Sequence, residues 1–323
     1  MSIADKLTLL INTKQDIKSA ISEKGVEVTG GMTTYADAIR RIETGGGGDS
    51  IYVPIGLKFT YKAPNGPYTA PDFTLPKLIL ADGYTDGSYM FEGNLGLINI
   101  TGIYSTNSSL TNCSRMFHQC TKLTTIPQLD TSNVTDMSFM FYECTKLTTI
   151  PQLDTSKVTD MTNMFASCNL LTTIPQLDTS KVTDMYYMFW KCISLITIPQ
   201  LDTSKVTDMF GMFLNCPKLE SLPMLNCVNV TNVNNMFGTD SSITTSYPNL
   251  TDLGGFKNLK VSLKLSGMPN LTVQSLMNVI NNLYDFVGNG SATTRTLTLG
   301  TTNLNKLTAE QKAVATNKGW VLA

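Results

Sequence analysis

Carboxylates, thiols and one imidazole are the groups in this chain that could do chemistry, and nearly all of them recur at a single interval. Asp130, Asp154, Asp178 and Asp202 stand 24 residues apart, and so do Asp136, Asp160, Asp184 and Asp208. Columns of carboxylates could hold calcium if several oxygens converged at each site. They could run glycoside hydrolysis if one acid and one base stood apart from the others. A repeated column offers no unique acid or base. Asp-Thr-Ser and Val-Thr-Asp are also good Asx-turn and ST-turn sequences. The favoured reading is therefore turns repeated in register, with calcium as the alternative. Lys157, Lys181 and Lys205 form a neighbouring column that offsets the acidic charge.

Cys120, Cys144, Cys168, Cys192 and Cys216 keep the same interval, and Cys113 and Cys227 complete the seven cysteines. Paired C-x₂-C metal spacing is absent. Each ladder thiol comes from a different repeat and is expected to point inward as a small hydrophobe. Stacked repeats would bring the sulfurs near disulfide range, but parallel side chains on one stripe seldom meet the required dihedral. Free thiols are expected. His118 is the only histidine, in a slot that holds Tyr142, Ala166, Trp190 and Leu214 in later copies. It is expected at the surface and not as a catalyst. No phosphate-binding or dinucleotide fingerprint occurs. The sequence names no catalytic residue, no metal ligand set and no cofactor, and reads as a non-enzyme.

The elements behind these columns are set by one repeat. Met-Phe recurs at Met116-Phe117, Met140-Phe141, Met164-Phe165, Met188-Phe189, Met212-Phe213 and Met236-Phe237. A fixed period in the twenties means one solenoid coil per repeat, each burying its apolar edge on the next. Within one unit the apolar positions are Leu123, Ile126, Leu129, Val134, Met137, Met140, Phe141 and Cys144. Their spacing fits neither a long helix nor a two-residue strand alternation. It fits a coil that turns several corners. A short strand is expected near Thr124–Leu129 and a tight helical or 3₁₀ turn near Asp136–Phe141. Pro127 must sit where no ladder donor is needed.

Leu-Asp-Thr-Ser-Lys-Val-Thr-Asp-Met at 153–161 and 177–185, each followed by Met-Phe-x-x-Cys, resembles the BspA-like leucine-rich repeats of bacterial surface proteins and gut-phage proteins. The resemblance covers roughly residues 74–265 and implies the fold: α+β, a leucine-rich-repeat solenoid of 24-residue coils with terminal caps. Thr74-Leu75-Pro76-Lys77-Leu78 echoes Thr125 to Leu129, so 51–98 reads as an N-terminal cap with a first degenerate coil. Ile51-Tyr-Val-Pro and Leu57-Lys-Phe-Thr-Tyr look like its strands, and Ala63-Pro-Asn-Gly-Pro like a turn. Residues 99–265 read as the solenoid and 266–323 as a helix–strand–helix C-terminal cap. Leu276, Val279, Ile280, Leu283 and Phe286 fall at helical spacing, and Thr308-Ala-Glu-Gln311 is a capping box.

Residues 1–44 differ in kind. Ile3, Leu7, Leu10, Ile17 and Ile21 form a heptad stripe, interrupted by Lys14, and Thr33 to Ile42 looks like a second short helix. Gly45–Gly48 sits in a flexible linker, 45–50. A short helix needs a partner for its apolar stripe. The two helices either pack on each other or mediate self-association and docking. This segment resembles N-terminal modules of phage tail and tail-fibre proteins. The resemblance implies virion tail proteins as partners and a homo-oligomer, a trimer being one form open to it.

Composition narrows the function. A net charge of −1 argues against a nucleic-acid binder. Residues 1–12 lack the pattern of a secretory signal, and no apolar stretch is long enough to span a membrane. A secreted bacterial adhesin would need export, whereas a virion part assembled in the host cytoplasm would not. Where the copies differ, Phe139, Tyr142, Tyr186, Tyr187, Trp190 and Phe210 appear. Such aromatics either bind a ligand or pack between coils. The expected function is a phage-tail attachment protein whose variable edge meets a host cell-surface glycan or protein. The alternatives are a structural virion protein, a bacterial adhesin and, least favoured, a polysaccharide depolymerase.

Overall fold

The computed structural model describes residues 27–29, 50–53, 58–60, 72–105, 110–238 and 246–323. The heptad stripe Ile3, Leu7, Leu10, Ile17 and Ile21, both expected N-terminal helices, the glycine run and the turn at 63–67 lie outside the described residues. Within 1–44 the structure describes β1 (Glu27–Thr29), paired antiparallel with β3 (Lys58–Thr60).

The described chain is a parallel repeat solenoid. β2 (Ser50–Val53), β4 (Phe73–Leu80) and β5 (Leu97–Ser105) open it as a parallel sheet in the order β2-β4-β5. From there the strands shrink to single parallel bridges: Asp86 to Asn112, then Asn112, Asp136, Asp160, Asp184, Asp208 and Asn232 in succession. After Asn112 every bridge joins residues 24 apart. Two short parallel pairs follow, β6 (Ser221–Leu222) with β8 (Asp252–Leu253) and β7 (Leu225–Asn226) with β9 (Phe256–Lys257). The chain ends on a parallel sheet of β10 (Leu263–Lys264), β11 (Arg295–Thr298) and β12 (Trp320–Leu322). Helices α1 (Val273–Asn282), α2 (Gly300–Leu304) and α3 (Ala309–Asn317) accompany it. Thr272 caps α1, and α3 opens on a reciprocal capping box of Thr308 and Gln311. No signal in the sequence reading marked α2.

The interior is a set of ladders. Phe91, Phe117, Phe141, Phe165, Phe189, Phe213 and Phe237 stack in one column, with ring centroids 5.1–5.7 Å apart and interplanar angles of 2–15°. The first six of these rings are fully buried. Truncating one would cost about 3–5 kcal/mol. Beside them run the thiols. Cys144 Sγ donates to the Phe117 carbonyl at 3.0 Å, Cys168 to Phe141 at 3.1 Å and Cys192 to Phe165 at 3.0 Å. All seven cysteines are free and buried. Burial pushes Cys192 up to about 12, so its thiol is protonated and able to donate.

One local expectation is corrected and a second refined. No strand forms over 124–129 in any of the regular coils. Pro127 has no N–H to give, so the backbone ladder is kept at the Thr124 column, where the Thr148 N–H donates to the Thr124 carbonyl at 3.0 Å, and side chains extend it beyond the proline. Gln128 Nε2 donates to the Gln152 carbonyl at 2.8 Å, and Gln176 Nε2 to the Gln200 carbonyl at 2.7 Å. The buried Thr131, Thr155 and Thr179 hydroxyls each donate 2.8 Å to the Asp carbonyl of the next coil. Near Asp136–Phe141 the expected tight turns form, but as separate turns and not as a helix. The N–H groups of Met140, Tyr142 and Cys144 reach back three residues, to Met137, Phe139 and Phe141. The run cannot continue as a helix because Phe139 and Glu143 have φ of +55° and +58°.

Candidate functional site

Two surfaces of the solenoid differ in chemistry. The first is the polar corner made by Gln-Leu-Asp-Thr-Ser. Asp130, Asp154, Asp178 and Asp202 are exposed there, and each accepts the backbone N–H two residues on at 2.9–3.1 Å. These are the expected Asx turns. The Ser180 hydroxyl and N–H hold the Asp178 carboxyl below the usual carboxylate range, with Lys181 adding to this. Two shallow troughs follow this corner. One of about 630 Å³ lies over Gln128, Asp130, Gln152 and Asp154, and one of about 700 Å³ over Gln176, Asp178, Gln200 and Asp202.

The second Asp column belongs to the bridges. Asp136, Asp160, Asp184 and Asp208 are half-buried, and each accepts the N–H two residues later at 2.7–2.8 Å. Burial holds Asp184 above the usual range, and repulsion from Asp160 and Asp208 adds to it, against the Tyr186 N–H that pulls it down. Among the described residues no group of three or more His, Cys, Asp or Glu side chains is placed to hold a metal ion.

The other surface is the variable edge, built on a strained frame. Two slots per coil sit in the left-handed region: the residue before Met (Arg115, Phe139, Asn163, Tyr187, Gly211, Asn235) and the residue before Cys (Gln119, Glu143, Ser167, Lys191, Asn215). An ordinary side chain there costs about 1–2 kcal/mol, and only Gly, or Asn and Asp to a lesser degree, enters routinely. Tyr89, Arg115, Phe139 and Tyr187 are therefore costly occupants of the first slot, as Gln119, Glu143 and Lys191 are of the second. The slots were legible: Gly93 and Gly211, with Asn163, Asn215 and Asn235, mark them in the sequence, and that signal was missed.

The six aromatics picked from the sequence are all half-buried. The structure brings them into two groups. Tyr186, Tyr187, Trp190 and Phe210 form one, with Tyr186 stacked on Phe210 at 5.3 Å and Tyr187 edge-on to Tyr186 at 4.5 Å. Tyr187 also meets Phe210 at 5.2 Å and Trp190 at 5.3 Å. Gly211 makes the room: a Cβ there would lie 2.3 Å from the Tyr187 ring. Phe139 and Tyr142 form the other group, 5.7 Å apart. Each ring packs on its neighbours and keeps part of its surface exposed.

Not every variable position is exposed. Asn163, Ala166 and Ser167 are buried between the two groups, and Gly211, Leu214 and Asn215 beyond the second. His118 is corrected in the same way. It is half-buried, stacked on Tyr142 at 5.0 Å, with Nδ1 3.2 Å from Glu92 Oε1. Burial and then Arg115 lower its pKa, while Glu143 raises it. Arg115 itself lies over the Phe139 ring at 4.4 Å, and Lys191 over Trp190 at 4.4 Å.

Among the described residues no helix is long and apolar enough to cross a membrane. A search of curated proteins finds no match. Among solved structures, the chain is similar to a T. pallidum leucine-rich repeat protein at 15% identity and a TM-score of 0.33, covering 64% of this chain and 89% of that one. It is also similar to a leucine-rich repeat protein from Bacteroides ovatus at 13% identity and a TM-score of 0.33, covering 76% of this chain and 65% of that one. Residues 85–150, 111–218 and 146–250 each match the family described as "Mycoplasma protein of unknown function, DUF285". These matches fall on the repeats whose Met-Phe-x-x-Cys pattern resembles BspA-like leucine-rich repeats. Together they run from residue 85 to 250, just over half of the chain, and the chain belongs to this family.

Proposed function

We propose that this chain is a non-enzymatic attachment protein of a phage tail. The solenoid of 24-residue coils is its contact module, and the region N-terminal to it is its anchor. Residues 1–44 dock to virion tail proteins or to sister chains, and the segment at 45–50 lets the solenoid swing. The variable edge, with Tyr187 and Trp190 at its centre, meets a host cell-surface glycan or protein. Multiple copies would give avidity without requiring a tight single site.

The observation that carries this reading is the placing of large aromatics on strained backbone at an accessible edge. Phe139 and Tyr187 occupy slots where Asn and Gly would be lower in energy. The frame imposes this backbone in every coil, and on it these two rings stand at the accessible edge, which supports a contact role. The structural-virion alternative keeps one specific support, which is that the same rings also pack on each other.

The test is made on particles. Antibody raised against the full chain is applied to purified phage from the source of this sequence. The proposal expects immunogold label on tails and inhibition of adsorption to host cells by the antibody. Label on the tail without any effect on adsorption would move the chain to the structural role. No label on any particle would remove the virion reading.

A further inference from the structure

We propose that the partner of the variable edge is a protein that presents an apolar anchor set among acidic side chains, and not a glycan. This deepens the attachment reading and rests on it for the location of the edge. The repeats provide an internal control. In the two positions after each ladder cysteine, the second copy has Thr145-Lys146, whereas the next two copies place Leu170 and Ile193 there. One turn later, Thr124, Thr148 and Thr172 give way to Ile196. All three replacements are apolar and all three are exposed, at 41%, 45% and 38% for Leu170, Ile193 and Ile196. Ile193 and Ile196 share a coil with Trp190, and Leu170 lies on the adjacent one.

Aliphatic side chains do not offer the flat faces or hydrogen bonds by which sugars are held, but they are what a protein anchor buries. Three exposed departures from a polar consensus on two neighbouring coils make a patch. Singly exposed apolar residues would need no explanation. The surround gives the sign of the partner. Lys146 and Lys218 occupy the Leu170 column one coil before and two coils after it, and both are exposed. Lys191, also exposed, lies over Trp190. Glu220, bonded through its N–H to the Ile196 carbonyl at 2.9 Å, restricts the cationic rim to the Leu170 and Ile193 side. An apolar centre with a lysine rim fits a partner whose anchor is flanked by Asp or Glu.

The experiment uses the full chain and a triple variant, Leu170→Lys, Ile193→Thr and Ile196→Thr, which restores residues the repeat itself uses at those places. Both are applied to immobilised short peptides carrying one Leu, Ile or Trp among Asp and Glu, to the same peptides with Lys for the acids, and to a glycan array. Both are also applied to host cells, beside a Tyr187→Asn, Trp190→Ala variant. The expected result is binding to the acidic peptides alone, weakened roughly tenfold or more in the triple variant and by added salt. Cell binding should fall in parallel. Equal binding of acidic and basic peptides would overturn the proposal. So would glycan binding that the triple variant retains. If the triple variant bound cells like the parent while the Tyr187, Trp190 variant did not, the protein partner would be lost and the attachment edge kept. If neither variant changed cell binding, the edge itself would be wrong.

Discussion

The Phe–Cys interior and the variable edge are read from the same repeat, separated by only one or two residues, and obey opposite rules. In the interior each residue must match its own copy. A Phe stacks on a Phe and a thiol finds a Phe carbonyl, so any change is felt by both neighbouring coils. On the edge, each residue sits on backbone that the interior has already fixed. Phe139, Asn163, Tyr187 and Gly211 all occupy one slot at φ of +53° to +60°. The frame tolerates their diversity because its stability is made elsewhere. A repeat protein can therefore change what it meets without altering how it folds.

The first way to break this comparison is Phe165→Ala in the middle of the stack. A loss of about 3–5 kcal/mol in urea unfolding is expected, because the cavity is shared by two coils that cannot both collapse. A loss below 1 kcal/mol would mean that the ladder is not what holds the coils together. Next in size is Gly211→Ala. The added methyl is strained by the backbone and meets the Tyr187 ring, so a cost of about 1–2 kcal/mol is expected at minimum. Tyr187→Ala in the same chain should recover the steric part and leave the backbone part.

Tyr187→Asn sharpens the comparison from the other side. Asn relaxes the left-handed backbone while the ring contacts are lost, so the net change in stability should stay within about 1 kcal/mol. A much larger loss would make the edge a packing element. The smallest effect separates the two carboxylate columns. Asp178 has a lowered pKa and Asp184 a raised one. Asp178 therefore adds stability above the ordinary carboxylate range, and that contribution is lost as pH falls through its folded pKa. Asp184 subtracts stability at neutral pH, and the penalty disappears as pH falls toward the unfolded value. Asn keeps the turn acceptor in either place. Asp178→Asn should thus cost about 0.5 kcal/mol or less at pH 7, given its exposure, and nothing in acid. Asp184→Asn should be neutral or stabilising at pH 7, an advantage that vanishes in acid. Unfolding curves at the two pH values decide it.

Much of the frame was legible because identity at a fixed spacing is a direct statement of stacking. Leu123, Ile126, Leu129, Val134, Met137, Met140, Phe141 and Cys144 are all buried as that spacing required. The Asx turns at Asp130 and Asp136 followed from local sequence. What failed were the inferences that depend on neighbours in space. Propensity suggested a strand at 124–129, but beyond Pro127 the hydrogen bonds are made by the side chains of Gln128 and Thr131. A position that differs between copies need not be exposed: Ala166 and Asn163 differ from their counterparts and are buried. The left-handed slots were missed because Phe139 and Tyr187 disguise them. The edge aromatics were found, but their grouping into two clusters depends on side-chain packing that no periodicity encodes.

The most direct test of the account is to measure adsorption of the full chain to host cells after changing one surface at a time. An edge variant, Tyr187→Asn with Trp190→Ala, is compared with a polar-corner variant, Asp154→Asn with Asp178→Asn, after urea unfolding confirms that both fold. The account predicts that the edge variant loses at least roughly tenfold in affinity and that the corner variant binds like the parent. Loss of binding in the corner variant, with the edge variant unaffected, would contradict it and move recognition to the troughs along the Asp column.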